Sequence, residues 1–217
     1  LPICLGLREN TIVVFCADHG DFMGEHRMQC KGGVFYDCLT RVPLIIAWPG
    51  HIPAGQRDSS MVNLVDIVPT LLHLQGMDVP RSMHGQGLPA VTGAPPRDVT
   101  FSEYGAGGPP FTLADLAEFP KPYGRRALMR SLQWREAEGR RKMARTRAWK
   151  YVHDPMGNAV HGVADDELYD LVNDPWELEN VAADPAHCDV IAAMRLRMLD
   201  WSIQTEDAHP VPLPDDE

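Results

Sequence analysis

Asp18, His19 and Lys31 bring a carboxylate, an imidazole and an ammonium together within fourteen residues. They lie in TIVVFCADHGDFMGEHRMQCK, Thr11 to Lys31, with the lysine eleven residues beyond Gly20. An aspartate oxygen suits a hard cation such as Ca²⁺ or Mg²⁺, and a neutral imidazole can add a further ligand. Lys31, followed by Gly32 and Gly33, offers a compact positive charge to a bound tetrahedral anion. Gly20 and Gly24 let the chain turn away sharply after the ligands. The pattern therefore predicts a combined metal and oxyanion site.

Such residues need an element that holds them at a rim. Thr11 to Phe15 is an apolar, β-prone run of a length that suits a strand covered on both faces, as in parallel α/β sheets. Ligands gather beyond the carboxyl ends of such strands, which is where Asp18 and His19 fall. Val42 to Trp48, closed by Pro49-Gly50, predicts a second buried strand. Leu64 to Gln75 predicts a helix stopped at Gly76, with Asp66 as a cap near its start rather than a catalyst. Val99 to Tyr104 predicts one more strand, and Glu103 at its end reads as a solvated carboxylate.

Later segments change character. Gly105 to Arg126, with Gly-Gly-Pro-Pro and a short helical piece at Leu113 to Phe119, reads as a mobile insertion. Arg140 to Thr146 and Trp149 to His153 predict an antiparallel hairpin, and Glu167 to Leu171 a further strand. Ala183 to Trp201 places Val190, Ile191, Met194, Met198 and Trp201 on one helical face, a core stripe. The basic run Arg135 to Lys142 contains acidic residues as well and reads as a solvated face.

Asn10 to His26, Lys31-Gly-Gly and Arg41-Val-Pro-Leu-Ile-Ile-Ala-Trp-Pro-Gly50 together resemble the type I sulfatase family of the alkaline-phosphatase-like superfamily. The resemblance continues through Val65 to Leu72, Lys142 to Thr146, Lys150-Tyr-Val, Glu167 to Leu171, and Asp174-Pro with Glu177 to Asn180. It implies a partial alkaline-phosphatase-like mixed α/β sheet with flanking helices over residues 1–104, a connector over 105–137, and a small α+β subdomain over 138–217 with antiparallel strands and a terminal helix. It implies that Asp18 and His19 bind a divalent metal, Ca²⁺ first, with Mg²⁺ or Mn²⁺ as other candidates. Lys31 matches a lysine that contacts the sulfate group and stabilises the departing oxygen. His26, in Gly24-Glu25-His26, matches a position near the substrate mouth, with scaffold and substrate contact both open.

The family's nucleophile is a formylglycine made from a Cys/Ser-x-Pro/Ala-x-Arg motif, and none of the five cysteines fits it. Cys4 comes nearest but lacks the central proline. The expectation is a C-terminal portion whose catalytic N-terminal segment lies elsewhere. The substrate implied is a small sulfate ester; a phosphonate monoester or phosphodiester hydrolase on the same scaffold, and an inactive metal- or partner-binding remnant, are the alternatives.

Composition bounds the remaining classes. A formal charge of −10 over 217 residues argues against nucleic acid as a partner, but one lysine and one cation can still govern a local field. An odd cysteine count without framework spacings predicts free thiols. No stretch reaches the ~18 apolar residues a membrane span requires. No pattern of a signal peptide is present, which says nothing of export if the true N-terminus lies elsewhere.

Overall fold

The computed structural model describes residues 4–105, 141–154 and 166–206. Strand β1 (Val13–Cys16) leads into two short strands, β2 (Phe22–Met23) and β3 (Gln29–Cys30), then α1 (Asp37–Thr40) and β4 (Leu44–Ala47). A 3₁₀ turn (Leu64–Asp66) opens α2 (Ile67–Leu74), and α3 (Pro89–Thr92) precedes β5 (Thr100–Tyr104). The C-terminal part holds β6 (Arg141–Arg145), β7 (Trp149–His153), β8 (Asp166–Asp170) and α4 (Cys188–Gln204). This is the mixed α/β architecture expected, with antiparallel strands and a terminal helix at its end.

Strand β1 forms where the apolar run lies, but its surroundings correct the expectation of a covered, parallel strand. β1 pairs antiparallel with β4, Phe15 opposite Ile45, and these two strands form a sheet of their own. Phe15 and Ile45 are 59% and 60% exposed. An apolar run specifies that both faces seek cover; it does not specify the direction of the neighbour or that the cover lies within the same stretch of chain.

The larger sheet is four-stranded, in the order β5-β6-β7-β8, antiparallel throughout. Period-two alternation divides its residues between two jobs. Phe101, Ala144, Tyr151 and Leu168 stand opposite one another and bury against Met194 and Met198 of α4. Trp201 stacks on Phe101, with ring centroids 4.8 Å apart. Asp166 accepts hydrogen bonds from Tyr151 Oη (2.9 Å) and His153 Nδ1 (2.8 Å) and pairs with Arg195, which ties the helix to the far edge. The opposite face, with Met143 and Val152, packs against Phe35 and Tyr104.

β5 falls within residues 1–104 of the sequence division yet is hydrogen-bonded to β6, so this sheet crosses that boundary. Asp66 acts as the expected cap residue, at the third helical position rather than ahead of the helix. Its carboxylate accepts from Asn63 N (2.8 Å), Gln86 N (3.0 Å) and Arg97 Nη2 (2.9 Å) in a fully buried setting. Glu103 is exposed and pairs with Lys142 (2.7 Å). All five cysteines are free thiols, and no helix among the described residues is long and apolar enough to cross a membrane. The helical piece at Leu113 to Phe119, most of the 105–137 connector and most of the Arg135 to Lys142 run lie outside the described residues.

Candidate active site

β1 ends at Cys16, and the chain delivers Asp18 and His19 two and three residues later. His19 Nδ1 donates to the Gly20 carbonyl at 2.7 Å, which fixes the tautomer and leaves the Nε2 lone pair outward. That lone pair accepts from the Lys31 ammonium at 2.6 Å. Asp18 Oδ2 lies 3.5 Å from the same Nε2, and its other oxygen accepts from the His19 amide at 3.0 Å. The His19 amide, then the His19 ring, hold the Asp18 carboxyl below its ordinary pKa, with a smaller contribution from Lys31. The carboxylate is therefore the charged species at neutral pH.

Asp18, His19 and Lys31 line one concavity of about 2640 Å³. His26 does not line it. Its ring lies flat on Tyr36, with centroids 3.7 Å apart and planes 14° from parallel, and it meets Phe22 edge-on at 6.2 Å. His26 sits at φ 51°, a left-handed conformation that turns its ring back onto the β2–β3 loop's aromatic partners. Among the described residues its contacts are those of a packed ring.

Two contacts seat the site loop. Gly20 N donates to Leu39 O at 2.8 Å, and a Cβ on Gly20 would overlap the Cys38 carbonyl oxygen. A Cβ on Gly33 would lie 2.6 Å from the Tyr104 ring. Both glycines are thus required by close approach rather than by a turn.

A carboxylate oxygen and an imidazole nitrogen 3.5 Å apart, the nitrogen also touched by a lysine ammonium, fit two neighbouring ligands of a divalent ion. Among the described residues no group of three or more His, Cys, Asp or Glu side chains converges on one point. Asp18 and His19 are thus two donors side by side, without a third protein ligand among the described residues.

Sequence reasoning did not single out the buried ionic residues behind the loop. Lys150 of β7 is fully buried and meets the Phe35 carbonyl (2.7 Å), Asp37 (2.6 Å) and Glu177. Arg141 pairs with Asp154 at 2.9 Å. The available signal was strand alternation: a lysine sharing a face with Val152 in WKYVH is out of place on a solvated surface.

The α/β fold with this antiparallel appendage is the alkaline-phosphatase-like one. A family profile described as Sulfatase matches residues 4–77. The chain is 32% identical over 200 residues to a Delta 4,5-hexuronate-2-O-sulfatase of Bacteroides thetaiotaomicron, covering 91% of this chain and 36% of that protein. It is 33% identical over 180 residues to Arylsulfatase K of Bos taurus, covering 82% and 29% respectively. Among solved structures, it superimposes with a TM-score of 0.70 and 25% identity on a protein in complex with its substrate D-glucosamine-2-N,6-O-disulfate, over 96% of this chain and 37% of that one. A phosphonate monoester hydrolase of Agrobacterium radiobacter gives a TM-score of 0.69 at 29% identity, over 94% and 37%. The chain belongs to the sulfatase family. It spans about a third of the length of the relatives it matches.

Proposed function

We propose that this chain supplies the metal-and-lysine part of the active site of a divalent-metal-dependent sulfuric ester hydrolase, with the nucleophile in sequence outside these 217 residues. The observation that carries the reading is the convergence of Asp18 Oδ2, His19 Nε2 and Lys31 Nζ beyond β1, on one concave surface. Asp18 and His19 would hold the ion, Ca²⁺ first among candidates, whose chemistry is to polarise a sulfate oxygen. The Gly20 carbonyl keeps a proton on His19 Nδ1, so that Nε2 stays available as a ligand. Lys31, whose ammonium rests on that nitrogen, brings a positive charge to within reach of the bound anion and of charge growing on the departing oxygen.

The breadth of the concavity supports the division of labour. Small-molecule clefts run to ~300–1,000 Å³, and this one is several times larger. Its apolar lining includes Ile45, Leu64 and Val65, all substantially exposed. Such a surface suits a polypeptide seat, and the N-terminal two thirds of a full-length sulfatase is the occupant proposed. On its own the chain should turn over no ester, since none of its cysteines sits in a formylglycine motif.

The substrate class proposed is a small sulfate ester, consistent with the sulfated sugar bound to a structural neighbour. Hydrolysis of phosphonate monoesters or phosphodiesters is the second reading, favoured by the phosphonate monoester hydrolase among the solved relatives. The deciding experiment uses a polypeptide that carries these residues together with an upstream segment bearing the nucleophile motif. Rates on 4-nitrophenyl sulfate should exceed those on the matching phosphonate ester, fall on chelation and return with Ca²⁺. Dominant phosphonate turnover would replace the first reading with the second.

A further inference from the structure

The sheet face turned away from α4 carries charged residues that a sheet-and-helix unit does not need for folding. Alternation puts Arg141, Arg145, Lys150 and Glu167 there, beside Met143 and Val152. Lys150 is 0% exposed. Its ammonium donates to the Phe35 carbonyl at 2.7 Å and to Asp37 Oδ1 at 2.6 Å, and it pairs with Glu177. Asp37 is gripped a second time by Arg145, at 2.9 Å from Nε and 2.7 Å from Nη2. The Asp37 amide donates to Glu177 Oε2 at 2.6 Å. Glu177 is itself held at φ 58°, a backbone conformation unfavourable for a side chain of its kind.

An ion cluster buried at Lys150 and Glu177 is a weak source of stability, and the best-attested use of such a cluster is to fix one arrangement among several. The arrangement in question is the segment 35–39, which touches both halves of the candidate site. Upstream, Gly20, next to His19, hangs by its amide from Leu39 O. Lys31 enters the same segment through Gly33, wedged under Tyr104, with the Gly33 carbonyl at 3.5 Å from Arg141 Nη1. Tyr36, in the middle, carries the stacked His26 ring.

We propose that Lys150 is a positioning residue of the active site: with Asp37 and Glu177 it locks residues 35–39 onto the sheet and so sets where Lys31 meets His19. The antiparallel subdomain is then a working support of the site. The inference rests on the reading of His19 and Lys31 as site residues, and no part of it depends on which ester is cleaved.

Imidazole resonances in ¹H–¹⁵N spectra of the full 217-residue chain test it without turnover. In Lys150→Met, the His19 and His26 ring signals should shift or broaden, while the His73 signal in α2 stays in place and circular dichroism still reports a cooperative melt. A role confined to stability would lower the melting temperature and leave the rings of the folded population where they were. Should Lys150→Met fail to fold, Lys150→Met/Glu177→Gln removes both buried charges while keeping an acceptor for the Asp37 amide, and the same signals are read. Unmoved His19 and His26 signals in a folded variant would overturn the proposal. Loss of the fold in both variants would overturn it too, by making the cluster a support for the whole subdomain rather than for the site loop. A failure of sulfate hydrolysis in the completed enzyme would count against the functional reading and leave these spectra unaffected.

Discussion

The contact between the Lys31 ammonium and His19 Nε2 joins the proposed anion-binding cation and the proposed metal ligand in a single pair of atoms. Substituting Lys31 by alanine removes the charge proposed to meet the bound anion, so kcat in a polypeptide that includes the nucleophile should fall by about 10²–10³-fold, about 2.7–4 kcal/mol. Steady-state rates on 4-nitrophenyl sulfate check this, and a fall confined to KM would contradict the role. Gly20→Ala tests the seating of His19. Its Cβ has no space beside the Cys38 carbonyl, a backbone atom that cannot swing aside. The melt should report a loss of roughly 1–3 kcal/mol, the range for forced overpacking. At this scale the sequence was informative, because aspartate, histidine and lysine types bear directly on ligand chemistry. Their spacing after an apolar run marked the rim. The packing of His26 was not legible: a histidine type is equally suited to stacking and to proton transfer, and the ring it stacks on, Tyr36, is ten residues away.

Between elements, the strongest coupling runs from α1 to the four-stranded sheet through Asp37. Burial acts to raise the pKa of this carboxyl, but the hydrogen bonds from Arg145 and the charge of Lys150 outweigh it and bring it from 3.8 to about 2. A carboxylate with a depressed folded-state pKa contributes stability in full above its unfolded value, and that stability is lost as pH falls through the folded value. The contribution is about 2 kcal/mol. Chemical denaturation should therefore show it declining between about pH 4 and pH 2, and Asp37→Asn should flatten that part of the profile. A profile unchanged by the substitution would place the acid sensitivity elsewhere. The terminal helix gives a second test, since Met198 is buried against Ala144, Tyr151 and Leu168. Met198→Ala should cost about 2–5 kcal/mol in a urea titration. The helix, hairpin and β8 were readable from periodicity, because each is patterned by its own core-facing residues. The pairing of β1 with β4, and of β5 with β6, was not, since partner choice depends on residues far apart in the chain.

For the molecule as a whole, the informative feature is where apolar surface stays open. Phe15 and Ile45 face each other across the β1–β4 ladder and are both more than half exposed. A paired apolar patch on a short, two-stranded sheet is a surface that association would cover. Sedimentation of the isolated chain should accordingly reveal self-association, and Phe15→Lys/Ile45→Lys should shift it toward monomer. A strictly monomeric wild-type chain would remove the argument that this face seats further polypeptide. The exposed face also explains why β1 and β4 are not the covered strands expected: an apolar strand announces that it needs cover, while the cover itself belongs to residues the sequence of the strand cannot name.

A crystal of this chain soaked in Ca²⁺ and sulfate tests the proposed site most directly. An ion is expected at about 2.3–2.6 Å from an Asp18 carboxylate oxygen. His19 Nε2 should turn to that ion, and Lys31 should leave the imidazole to contact a sulfate oxygen. An ion bound away from Asp18 and His19, with the Lys31–His19 contact unchanged at the same concentrations, would contradict it.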